Sequence, residues 1–330
     1  MKFLIGTYTS LGGPGAAVIE VENDEIKLVS ACRAIDNPGY LCLSQDKKTV
    51  YAAASFGKDE KGAVAAYRLN GDTLTPLSLQ PTGGESCCHV TLSEDERFLY
   101  ASNYMTGNLS VFPVQDGYIM PREQLIKHTG ASMAIPDRQE CAHVHQALFQ
   151  PNTNRLFVCD LGLDEVVVYI WDEETGHLIK EKSISCPAGC GPRHLIFDGE
   201  NRFYLGCELS NEVMHFECIG GEWKLMETIS TLPDGFDGKS SVAAVRKYKN
   251  YLFISNRGYH SACRFLISKD GHLSGKTLIP VTGNFPRDIW PLDKSTLLAA
   301  NQLGGTVELI KDGKFKCDIE IGGAICVIPL

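Results

Sequence analysis

Short apolar runs return along the chain at a nearly constant interval, each closing on a small or polar residue. They are Phe3 to Gly6, Val50 to Ala54, Phe98 to Asn103, Leu156 to Asp160, Phe203 to Glu208, Leu252 to Asn256 and Leu297 to Asn301. Their end positions 6, 54, 103, 160, 208, 256 and 301 lie 48, 49, 57, 48, 48 and 45 residues apart. After each comes a turn and a β-rich run, from Ala17 to Val21 in the first unit to Val307 to Ile310 in the last. No stretch keeps the 3.6-residue period of an amphipathic helix over a useful length.

A third set of runs opens in small, Pro, Cys or His residues: Pro38 to Ser44, Cys87 to Ser93, Cys141 to Phe149, Pro192 to Asp198, Ser240 to Arg246, Pro286 to Leu292 and Gly323 to Pro329. The last of these ends the chain, whereas the run that should follow it, Phe3 to Gly6, begins it. Repeats of about 40 to 50 residues with four strands each signify a propeller. The pattern therefore predicts an all-β, seven-bladed β-propeller of four-stranded blades, one domain over residues 1–330, closed by pairing the N- and C-terminal strands. The longest step, 57 residues, reads as an enlarged connection from about Asp116 to Glu140.

Composition narrows the partners. With 44% hydrophobic residues, the chain of 330 has ample apolar mass for a core. Its net charge of -9 and lack of long Lys/Arg runs argue against nucleic acid or an anionic membrane as partner. No segment approaches the roughly 18 apolar residues of a membrane span. Phe3-Leu4-Ile5 is too short for the apolar core of a signal peptide, so a cytoplasmic protein is expected. Thirteen scattered cysteines, an odd number, read as free thiols. Cys87-Cys88 and Cys186/Cys190 lack a second pair at zinc-site spacing, and no metal or organic cofactor is expected.

Four polar clusters share one phase of the repeat: His143-Val144-His145, Gly191-Pro192-Arg193-His194, Glu208-Leu209-Ser210 and Ser255-Asn256-Arg257-Gly258. In an antiparallel blade the first strand begins on the rim where the second ends, so these groups should converge at one mouth of the channel. Arg287, Asp288, Asn103, Asp160, Asn301 and His89 hold the same phase elsewhere, and Arg138 lies in the enlarged connection that ends beside His143. Arginine binds carboxylate or phosphate in a fork, and His or Glu can move a proton. Such a mouth suits a small anionic substrate.

These motifs resemble the seven-bladed propeller lactonase family, which includes propeller-type 6-phosphogluconolactonase and carboxymuconate-lactonising enzyme. The resemblance rests on Arg97 to Tyr104, Ala142-His143-Val144-His145, Asp160 to Asp164, Gly191 to Leu195, Glu208-Leu209-Ser210, Ser255 to Gly258 and Pro286-Arg287-Asp288, and it spans essentially the whole chain. It implies His145, Arg193, Glu208 and Arg257 as the catalytic set. His143, His194, Arg287, Arg138 and Asn103 are candidates for contact with substrate. The chain departs from the family pattern at Ala142, where Pro is usual, at Cys207, where Asn is usual, and in its fifth inner strand, which lacks a His. The activity implied is hydrolysis of a sugar lactone, 6-phosphogluconolactone first, with Glu208 or His145 as base and Arg193 and Arg257 dividing oxyanion and phosphate between them. A lactone-forming cycloisomerase and a protein-binding propeller are the alternatives.

Overall fold

The computed structural model describes residues 1–56 and 61–330. Seven antiparallel sheets form a closed ring. Counting from the first complete sheet, the inner strands of blades 1 to 6 are Asp36–Leu43, Cys87–Leu92, Val144–Phe149, Pro192–Phe197, Ser241–Tyr248 and Pro286–Pro291. Blade 7 joins the chain ends: Lys2–Thr7 pairs with Ala324–Pro329, in the register Leu4↔Ile328 and Ile5↔Val327. The ring closure read from the sequence is thus observed.

Burial explains why the second strand of each blade gives the clearest repeat. That strand is covered on both faces by neighbouring blades, so Phe98–Asn103 and Thr296–Asn301 are buried at every position. A strand covered on both sides reads as a continuous apolar run rather than an alternating one. The outer strands are mostly exposed or half-buried, Glu222–Ser230 throughout, and carry no such run. Apolar clusters fill the seven interfaces between blades. Between blades 2 and 3, for example, Tyr100 and Val111 meet Val144, Val158 and Tyr169. Each fully buried side chain of this size contributes about 1.5–3 kcal/mol. The ring is therefore held by its interfaces, and the loops at its mouths are left free to carry chemistry.

The enlarged connection is only partly a loop. Gln124–Lys127 pairs with Asn108–Gln115 and supplies the outer strand of blade 2, and Tyr118–Ile119 adds a short pairing to the same strand. The remainder, from His128 to the third inner strand, follows the rim of blade 3, where His128 meets Asp160 and Ser132 meets Asp164, and brings Arg138 to the cavity. Buried Gln139 pins it: its Oε1 accepts the Ile135 N–H at 3.1 Å and its Nε2 donates to the Leu161 carbonyl at 2.8 Å. Arg138 rides on this pinned turn.

Candidate active site

Inner strands carry a recurring defect near their first turn. Pairing with the second strand shifts register between Cys87 and His89, Val144 and Gln146, Pro192 and His194, and Pro286 and Asp288. The residue left unpaired in each case is Cys88, His145, Arg193 or Arg287. A bulge of this kind re-aims one side chain and is common beside active sites. Here the bulges at equivalent places aim Cys88, His145 and Arg287 at one cavity in the channel mouth and set Arg193 beneath it. In blade 4 the turn before the bulge is fixed by Asp164, whose carboxylate accepts the N–H of Gly189 at 2.7 Å and of Gly191 at 2.8 Å. Gly191 sits at φ +66°, a conformation in which a side chain would be strained and would also meet Leu209.

The mouth holds a cavity of about 500 Å³ lined by Tyr8, Asn37, Tyr104, Arg138, His145, Glu208, Arg257 and Arg287, among others. Glu208 is the carboxylate in this lining, among the described residues, and three guanidinium groups grip it. Arg138 Nη2 reaches Oε1 at 2.6 Å, Arg257 Nη2 reaches Oε2 at 2.6 Å, and Arg193 Nε reaches Oε2 at 3.0 Å. The arginines are themselves positioned: Arg193 donates to the Ala243 carbonyl at 2.8 Å, Arg257 to that of Val242 at 2.8 Å, and Arg257 lies over the Phe285 ring. Burial alone would push the Glu208 carboxyl up. Arg257 and Arg193, with help from Arg138, outweigh burial and hold it well below the usual carboxylate range. Glu208 is thus a firmly ionised anchor with both oxygens occupied.

His145 is the contrasting group. Burial first, then the Arg193 guanidinium, hold its imidazole well below the ordinary histidine value against the pull of Glu208. It is neutral at pH 7, and its Nδ1 is buried without a partner. Behind it, His194 and His89 continue a column of imidazoles, with ring centroids 5.2 Å from His145 to His194 and 5.9 Å from His194 to His89. A neutral imidazole beside a set of fixed cations can accept a proton from water and return it, which is the apparatus of acyl transfer.

Several candidates lie elsewhere. Arg193 is 2% exposed and sits beneath Glu208, off the cavity wall. His194 lies deeper in the channel, against His145, His89 and Tyr40. His143 stacks on Tyr104 at 4.4 Å, and its Nδ1–H donates to the Tyr104 carbonyl at 3.0 Å. It does not line the cavity, because the bulge at His145 breaks the alternation that would give both histidines one face. Asn103 is fully buried, with its amide 2.6 Å from Asn108 Oδ1 and 3.2 Å from Ser110 Oγ. It ties strands together instead of facing a ligand.

The sequence matches the family described as lactonase, 7-bladed beta-propeller, over residues 2–320. The chain belongs to this family. It is 31% identical over 322 residues to the 6-phosphogluconolactonase of Bacillus subtilis, covering 94% of this chain and 90% of that protein. Among solved structures, a periplasmic gluconolactonase from Pseudomonas aeruginosa superposes with a TM-score of 0.90 at 28% identity, over 99% of this chain and 98% of the other. A Lactobacillus plantarum protein superposes with a TM-score of 0.89, also at 28% identity, over 99% and 98%. This propeller lactonase is a lactone-hydrolysing enzyme.

The lactonase cavity also has a side that gave no sequence signal. Tyr8, Ser10, Asn37, Ser55 and Ser86 line it, all neutral residues from turns and strand ends. Arg287 stands among them, donating to Gln302 Oε1 at 3.1 Å with its guanidinium over the Tyr8 ring. It has no carboxylate partner among the described residues. Repeat phase flagged Arg287, but neutral turn residues carry no comparable mark.

Proposed function

We propose that this lactonase hydrolyses 6-phosphogluconolactone to 6-phosphogluconate, the lactone-opening step of the pentose phosphate pathway. The observation that carries the reading is the charge of the site: Arg138, Arg193, Arg257 and Arg287 surround a single carboxylate, and Arg287 is not paired to it. An acidic protein that concentrates cations in one cavity favours an anionic ligand. The name of the Bacillus subtilis relative fits such a substrate. A phosphorylated substrate is retained within the cell, and thirteen free thiols suit a reducing compartment, so we place the enzyme in the cytoplasm.

In this reading His145 is the base. It takes a proton from water as the water oxygen bonds to the lactone carbonyl carbon. Arg257 and Arg138 stabilise the oxyanion, and collapse breaks the bond to the ring oxygen, which receives the proton from His145. Glu208, already ionised and gripped, holds the arginines in place instead of taking the proton. Arg193 supports Glu208 from below, and the phosphate lies toward Arg287, Tyr8 and Asn37.

The test compares kcat/KM for 6-phosphogluconolactone and unphosphorylated gluconolactone, subtracting the spontaneous rate at each pH. The phosphate should be worth at least about tenfold, or about 1.4 kcal/mol of transition-state binding. Equal efficiency on both would reject the phosphate site, and turnover of a muconate alone would identify a cycloisomerase.

A further inference from the structure

Away from the cavity, blade 4 faces blade 5 through a second cluster of titratable groups. His215, fully buried, lies on the third strand of blade 4, Glu212–Ile219. Glu227 on the outer strand is its cross-strand partner in register. Blade 5 brings His272 to the same spot from the turn between Ser261–Ile267 and Leu273–Pro280, with the two imidazole centroids 5.8 Å apart. Both ring nitrogens of His215 are buried and lie near carboxylates without completing a hydrogen bond to them. Such groups carry a desolvation cost, and native structures rarely leave them unsatisfied.

The distances match those between ligands of one ion. His215 Nδ1 is 3.7 Å from Glu227 Oε1, and His272 Nδ1 is 3.5 Å from Glu227 Oε2. One donor atom from each of the three residues lies within 4.8 Å of the others. Ligands about 2.0–2.1 Å from a tetrahedral zinc ion stand about 3.4 Å apart. Two imidazoles and a carboxylate, without thiolate, are a zinc set that leaves a fourth position for water. On the far side of His215, Nε2 is 3.4 Å from Glu217 Oε1, and Glu217 is held by Arg202 at 2.7 and 2.9 Å. A carboxylate on the second nitrogen of a metal-binding histidine fixes its tautomer and orientation. Arg202 is itself engaged by Glu217 and by Asp198 at 3.4 Å, and Glu227 Oε1 also accepts the Leu273 N–H at 2.7 Å.

We propose that His215, Glu227 and His272 form a divalent metal site of the zinc class that staples blade 4 to blade 5, with Glu217 positioning His215. The site departs from the sequence expectation of no metal, and it is separate from the lactone cavity. A rival set, Glu140, Cys141 and His143, differs in containing a thiol.

The test uses the full chain, freed of metal with chelator and titrated with Co²⁺ and then Zn²⁺. One equivalent of Co²⁺ should give tetrahedral d–d bands without thiolate-to-metal charge transfer. Zn²⁺ should displace it and raise the melting temperature. His272→Ala, at a half-exposed side chain, should fold normally, bind at least about tenfold more weakly and lose the thermal response. Glu217→Gln should weaken binding by about 10–100-fold, and Cys141→Ala should leave it unchanged. Binding unaltered by His272→Ala, a spectrum dominated by thiolate bands, or no uptake of either ion would overturn the proposal.

Discussion

The two walls of the cavity at the channel mouth are built on opposite principles. The wall from blades 3 to 5 presents His145, Glu208 and Arg257, with Arg138 from the preceding loop and Arg193 supporting from beneath, in one network in which Glu208 takes three arginines. The facing wall, from blades 6, 7, 1 and 2, presents Tyr8, Ser10, Asn37, Ser55 and Ser86 around an Arg287 without a carboxylate partner among the described residues. A closed network fixes the position of each charge before substrate arrives, which is what transition-state stabilisation requires. An open cation among neutral donors keeps its attraction for an incoming anion. The first wall is suited to chemistry and the second to recognition, and substitutions on the two should fail differently.

The largest effects belong to the networked wall. His145→Ala should lower kcat by roughly 10²–10⁴-fold with little change in folding, as expected on losing a proton-transfer group. Glu208→Gln should also lower turnover, but through loss of the anchor. It leaves the buried Arg193 and Arg257 without their carboxylate, and breaking one partner from a buried ion pair costs about 3–5 kcal/mol. Urea unfolding separates the two: a Glu208→Gln protein as stable as the parent would show that the network is not under the charge constraint described here.

Much of this was legible before any fold was known, and the bulges explain what was not. Repeat phase located His145, Arg193, Glu208, Arg257 and Arg287 because all sit at one rim of successive blades. Phase alone could not separate His145 from His143, since residues two apart share a face only on a regular strand. It likewise could not tell that Arg193 lies beneath Glu208, which depends on how far each guanidinium reaches. Asn103 shares the phase but turns to Asn108 and Ser110, its nearest polar neighbours. Tyr8, Ser10 and Asn37 were silent because a neutral residue in a turn looks the same whether or not a cavity lies beside it. His215, Glu227 and His272 come together only through pairing between strands and between blades.

A smaller, substrate-dependent effect belongs to the recognition wall. Arg287→Ala should reduce kcat/KM for 6-phosphogluconolactone by at least about tenfold, or about 1.4 kcal/mol, while changing that for gluconolactone by less than about threefold. Its pairing with the neutral Gln302 means that little stability should be lost. Equal losses on both lactones would move Arg287 into the catalytic set and erase the distinction between the walls.

The smallest effect is a displaced pH limb. A base works in its deprotonated form, so a histidine with an ordinary pKa near 6.5 would lose half its activity near that pH. Burial and Arg193 hold His145 well below that value, and lowering the pKa of a base extends its active range toward acid. The acid-side inflection of kcat/KM, which reports the free enzyme, should therefore fall below pH 6.5 for the unphosphorylated lactone, whose own charge does not change there. Arg193→Ala removes the guanidinium that, after burial, lowers the His145 value, and it also leaves the Glu208 charge less neutralised. Both changes favour the imidazolium, so the limb should move toward higher pH in that variant. Glu208→Gln removes the carboxylate that raises the His145 value and should move it the other way. A limb that stays in place in both variants would mean that a group other than His145 carries the proton.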